Sequence, residues 1–226
     1  MVANFYIFVT IDTNNMKGRP NLYHENDLIL SAQSVFWEKG YSATSLSDLR
    51  AATGAGAGSL YNTFRGGKKE LFKRALQQRR DELIDFKVSL EASADPISLL
   101  REFFLDLANS DGQAHNRGCL IANTLVEMSF VDDELADEAK TILKETEAFY
   151  TTVIRSAQRK GTIKSEVPAS VLGKYLITLW CGINSLRRMY PEKEILEQLV
   201  SRCGHRCTVC RLYKNGRCGT ITFEFI

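Results

Sequence analysis

Residues 32–72 read AQSVFWEKGYSATSLSDLRAATGAGAGSLYNTFRGGKKELF. Three short apolar patterns and two small-residue breaks lie in this run. Leu28, Ile29, Ala32, Val35 and Phe36 recur at helical spacing, and Gly40 stands where that helix should end. Ser45-Leu46-Ser47-Asp48 has the form of a capping box, which predicts a second helix with Leu46 and Leu49 on its apolar face. That helix stops near Thr53-Gly54. A third carries Leu60, Tyr61 and Phe64 and ends at Gly66-Gly67. Three helices, the last two short and joined by a small-residue turn, describe a helix-turn-helix unit.

Outward from this unit the pattern stays helical. A longer helix begins near Lys68, with Leu71, Phe72, Ala75, Leu76, Leu83 and Ile84 on one side. Asp95-Pro96 caps the next, which carries Leu99, Leu100, Phe103, Phe104 and Leu107. Cys119–Met128 is short and mostly apolar. A long helix from Leu135 to Ile154 closes at Gly161, Pro168 opens another, and Pro191 opens the last. About nine helices, with no convincing strand before residue 203, make the class all-α.

The run 32–72 resembles the DNA-binding domain of TetR-type transcriptional regulators. FWEKGYSATSLSDL, GSLYNTF and GGKKELF carry the resemblance, and RGCLIANTLVEM (117–128) is similar to a segment of the same family's body. The resemblance implies a helix-turn-helix domain over 16–67 and a helical effector-binding and dimerisation domain over 68–202. It further implies a homodimer built from the last two helices, Val171–Ile183 and Ile195–Val200. The expected partners are double-stranded operator DNA and a small apolar or aromatic effector. The expected function is a repressor released by that effector, acting in the cytoplasm.

The residues suit such work. Ala55, Gly56, Ala57 and Gly58 leave room for close backbone approach to DNA. Ser59 and Asn62 are short polar groups for base edges or phosphate, and Tyr61 offers a hydroxyl to phosphate. Thr44 and Ser45 stand at the start of the preceding helix as backbone donors. Gly66-Gly67-Lys68 sets a charge and amides at another helix start. Lys17 and Arg19 form a short basic arm suited to a minor groove. Ala57 departs from the large polar residue that many family members carry there, which shifts readout towards shape and phosphate. In the body, Phe103, Leu107, Cys119, Asn123, Glu127, Phe149 and Trp180 are candidate effector contacts. Asn123 and Glu127 lie one turn apart on an otherwise apolar helix, and a buried polar pair needs partners.

Composition sets the remaining bounds. The 226 residues are 44% hydrophobic and 25% charged, which excludes disordered and collagen-like chains. No stretch is long and apolar enough to span a bilayer, and the start lacks the pattern of a secretory signal. Net charge is only +2, which taken alone argues against a nucleic-acid binder. Split by region it argues otherwise. Residues 16–80 hold 11 Lys and Arg against 5 Asp and Glu, whereas residues 81–202 hold 14 against 20. A basic block beside an acidic one is expected where one region meets a polyanion.

Three features stay open. Cys119 begins a helix near Arg117, so a thiol that senses oxidants or electrophiles stands beside an inert buried thiol. Residues 203–226 carry Cys203, Cys207, Cys210 and Cys218, read as an adventitious or unstructured tail or as a zinc site without a proper second pair. Residues 1–15 read as an unstructured extension. A small all-α enzyme is the alternative from another class. Against it stand three histidines in no motif and no nucleotide signature, so neither cofactor nor catalytic residue is expected.

Overall fold

The computed structural model describes residues 24–109 and 117–186, with 189, 194 and 195 besides. These residues form eight helices and no strand. They are α1 (Glu25–Ala43), α2 (Leu46–Thr53), α3 (Ala57–Thr63), α4 (Gly67–Ala92), α5 (Pro96–Asn109), α6 (Leu120–Met128), α7 (Asp133–Arg159) and α8 (Ala169–Leu186). The all-α class expected from the periodicity is therefore the observed one. The expected ninth helix, the basic arm with Lys17 and Arg19, residues 1–15 and the cysteine-rich tail lie outside the described residues, save that Glu194 and Ile195 are helical.

Local chemistry sets the helix ends. Ser45 accepts from the Asp48 amide while the Asp48 carboxylate accepts from the Ser45 amide, so the capping box is complete. Gly54 ends α2 in the left-handed region at φ 67°. Gly40, at φ 80° and ψ 172°, breaks α1 three residues before its end at Ala43. Asp132 caps α7 by accepting from the Leu135 amide.

Two apolar clusters hold the molecule together. The first joins Phe36, Leu49, Leu60, Phe64 and Phe72 to Leu120, Met128 and Ile142, so the helix-turn-helix shares its core with α6 and α7. The second gathers Phe86, Leu90, Phe104, Tyr150 and Leu176 from α4, α5, α7 and α8. Two stripe assignments need correction. Leu46 is 36% exposed, and Ile84 is 43% exposed while Phe86 and Leu90 turn inward instead. On α4 the inward face drifts with the 3.6-residue period, and a residue adjacent to Leu83 falls outside it.

Candidate nucleic-acid interface

Leu60 and Phe64 seat α3 on the first cluster, being 4% and 1% exposed. Burying two side chains of this size stabilises the unit by roughly 1.5–3 kcal/mol each. The opposite face of α3 is open. Gly58, Tyr61, Asn62 and Thr63 are exposed and Ser59 is half-buried. The Tyr61 ring lies against Gly67, where a Cβ would stand 3.4 Å from its Cε1. Gly67 has φ +63°, so glycine both makes the turn and seats the ring. A Cβ at Gly56 or Gly58 would meet nothing within 4 Å, so the backbone there is clear for close approach.

Other expected contacts are differently placed. Ala55 is 2% exposed, so its methyl belongs to the core and not to the open surface. Thr44 is 1% exposed, and its hydroxyl donates to the Gly40 carbonyl at 2.6 Å. The Ser45 hydroxyl is engaged in the capping box, donating to Asp48 at 2.7 Å. Lys68 turns away from the helix start: its ammonium donates to the Thr44 carbonyl at 2.6 Å and lies 4.5 Å over the Tyr41 ring. Burial there pushes its pKa down, against the pull of Glu127. The expected anion site at Gly66-Gly67 already holds a carboxylate, since Glu70 accepts from the Gly66 amide at 2.7 Å.

Arg50 and Arg65 join the candidates for contact with the DNA backbone. Both are exposed, one on α2 and one just past α3, and neither makes an ion pair among the described residues. Each is a basic residue within the helix-turn-helix run 32–72, which is the signal that marks it in the sequence. The cations of α4 are placed otherwise. Lys69 bonds Asp132 and Glu134 at 2.7 Å each, Lys73 bonds Glu134 at 2.5 Å, and Arg80 Nε donates to Glu145 at 2.8 Å. Much of the basic block thus meets the acidic body.

The candidate effector residues do not share one cavity. Phe103 stacks on Phe86 and Trp180 with ring centroids 4.1 and 5.1 Å apart, and Phe149 packs by Tyr150 at 6.0 Å. These rings fill the second cluster. Leu107 is half-buried on α5, and Cys119 is buried in the first cluster. Asn123 and Glu127 instead line a cleft of about 490 Å³ between α1 and α6, with Trp37, Tyr41, Leu143 and Cys181. Neither is an unpartnered buried group. Asn123 donates to the Arg117 carbonyl at 3.2 Å, and Glu127 accepts from the Tyr41 and Ser42 amides. Burial pushes the Cys181 thiol up to about 12, so it is held protonated. Among the described residues no group of His, Cys, Asp and Glu could hold a metal ion, and no helix is long and apolar enough to cross a membrane.

A three-helix unit with a polar α3 face, mounted on a helical body, defines a helix-turn-helix DNA-binding protein. The family model described as bacterial regulatory proteins, tetR family, matches residues 28–75, and that of the tetracyclin repressor-like C-terminal domain matches 97–202. The chain belongs to the TetR family and is a DNA-binding transcriptional regulator. It is 29% identical over 178 residues to the HTH-type transcriptional repressor DhaR of Mycobacterium sp. (strain GP1), covering 77% of this chain and 87% of that one. It is 28% identical over 200 residues to the HTH-type transcriptional repressor ComR of Escherichia coli (strain K12), covering 87% and 92%. Its fold superposes with TM-score 0.68, at 23% identity and over 82% and 97% of the two chains, on a cysteine mutant of the TetR family regulator CifR complexed with 26 bp double-strand operator DNA.

Proposed function

We propose that this chain is a repressor that binds a near-palindromic operator as a homodimer and releases it when a small apolar or aromatic molecule binds the body. It acts in the cytoplasm on bacterial DNA and catalyses no reaction. The observation that carries it is α3, which is anchored by Leu60 and Phe64 and open on the face of Ser59, Tyr61 and Asn62. In this reading Asn62 and Ser59 meet base edges, Tyr61 meets a phosphate, and Arg50 and Arg65 supply charge to the backbone. The names of DhaR and ComR support repression. A single short helix reads few base pairs, and two of them about one helical turn apart read a palindrome. Val171 and Tyr175 lie exposed one turn apart on α8, an apolar strip suited to a second copy. The cleft lined by Asn123 and Glu127 has the size of a small-molecule site.

The test is a gel shift with duplexes from upstream of the chain's own gene and its neighbours, against scrambled duplexes. The expected outcome is a preference of about 10³-fold or more for one duplex at physiological salt. A folded protein that shows no preference for any of them sinks the reading. Val171→Glu with Tyr175→Glu is expected to give a monomer by light scattering that no longer prefers the operator.

A further inference from the structure

Glu127 sits on body helix α6, yet both of its carboxylate oxygens face the DNA-binding head. Oε1 accepts from the Ser42 amide at 2.7 Å and Oε2 from the Tyr41 amide at 3.0 Å, across 85 and 86 residues of chain. Gly40 breaks α1 just before them, which leaves those amides to Glu127. Gly40 also makes the approach possible: a Cβ there would stand 2.9 Å from Glu127 Oε2. The junction is closed from the other side by Lys68, which donates to the Thr44 carbonyl at 2.6 Å and reaches the Ser42 carbonyl at 3.5 Å. Residues 41–44 are therefore gripped between an acceptor from the body and a donor from α4. Ser45 follows directly and caps α2, which carries Arg50.

We propose that Glu127 is a positioning residue for DNA binding. Its carboxylate sets the junction that aims the first turn of α2 at the DNA backbone. It also carries any movement of α6 into the head, and Asn123, one turn earlier, lines the same cleft. The inference rests on the DNA-binding reading above, and on the cleft only for the direction of signalling. Two charge-assisted hydrogen bonds from one carboxylate are strong enough to hold a four-residue junction.

The experiment compares wild type, Glu127→Ala and Glu127→Gln in three measurements, made well below the thermal midpoint of each. They are amide exchange at Tyr41 and Ser42, affinity for a mixed-sequence duplex at low salt, and the thermal midpoint. Glu127→Ala is expected to speed exchange at both amides and weaken duplex binding about tenfold, with the core amides of Leu60 and Phe72 still protected. Glu127→Gln keeps a neutral acceptor and is expected to fall between the two. Unchanged exchange, or faster exchange with wild-type affinity, overturns the proposal, because the carboxylate is then at most a structural cap. If Glu127→Ala fails to fold, Glu127→Gln decides by the same criteria. A wild type that binds the mixed duplex yet prefers no operator sinks the repressor reading and leaves this inference standing.

Discussion

Two sets of cations in the same basic stretch go to opposite places. Lys69, Lys73 and Arg80 on α4 face Asp132, Glu134 and Glu145 of the body. Arg50 and Arg65, on and beside the short helices, face solvent. The division of charge along the chain looks like the footprint of a polyanion, but part of it records an internal seam. An acidic block later in a chain is as good a partner for a basic block as DNA is. Only the structure separates a cation already paired from one still free to replace counterions on a duplex.

The strongest way to break the contrast is to remove the ground on which the free set stands. Phe64→Ala empties a fully buried site beneath α3 and should cost about 3–5 kcal/mol, read by urea unfolding. Duplex binding should vanish with it. Stability close to wild type would mean that α3 is not seated on this core. A smaller loss is expected at the start of α2. Ser45→Ala removes one half of the capping box and should cost about 1 kcal/mol. Ser45→Asp should recover most of it, because an aspartate also caps; no recovery would place the Ser45 effect outside the cap.

Charge then separates the two sets directly. Arg65→Ala should lower the slope of log affinity against log salt by about 0.9 per subunit. Between 50 and 200 mM salt that is a change of about threefold to fourfold per subunit. Lys69→Ala should leave the slope where it was. Equal slopes for both variants would erase the distinction between paired and free cations.

How far the sequence could be read follows from the same contrast. The capping box, the Gly54 stop and the burial of Leu60 and Phe64 come from patterns within a few residues, and all are found in the structure. Thr44 and Lys68 suit a DNA backbone by residue type, and Glu127 suits an effector, yet all three are bonded to the protein. Their partners lie in backbone groups freed by Gly40 and in chain remote from them, which no local pattern encodes. The effector residues were harder still. An aromatic such as Trp180 looks the same in sequence whether it lines a cavity or stacks at 5.1 Å on Phe103.

The smallest expected effect is the pH response of the seam. The Lys69 and Lys73 ammonium groups hold Glu134 below its ordinary carboxylate range, and Lys69 with the Leu135 amide does the same for Asp132. Groups with depressed folded values stabilise above their unfolded values, about 4 here, and lose that contribution as pH falls through the folded ones. Lys69 is shifted upward by the same bonds, so its share is complete below its unfolded value of about 10 and is lost only above it. The seam should therefore contribute evenly from about pH 5 to 10 and fade below pH 4. These groups are open to water, so the contribution is small. Urea unfolding of wild type and Lys69→Met should differ alike at pH 6 and pH 9, and the difference should narrow as pH falls below 4. Arg65→Ala, which has no carboxylate to lose, should track wild type throughout. A Lys69 difference that does not narrow at all below pH 4 would show that its stem, and not its charge, joins the head to the body.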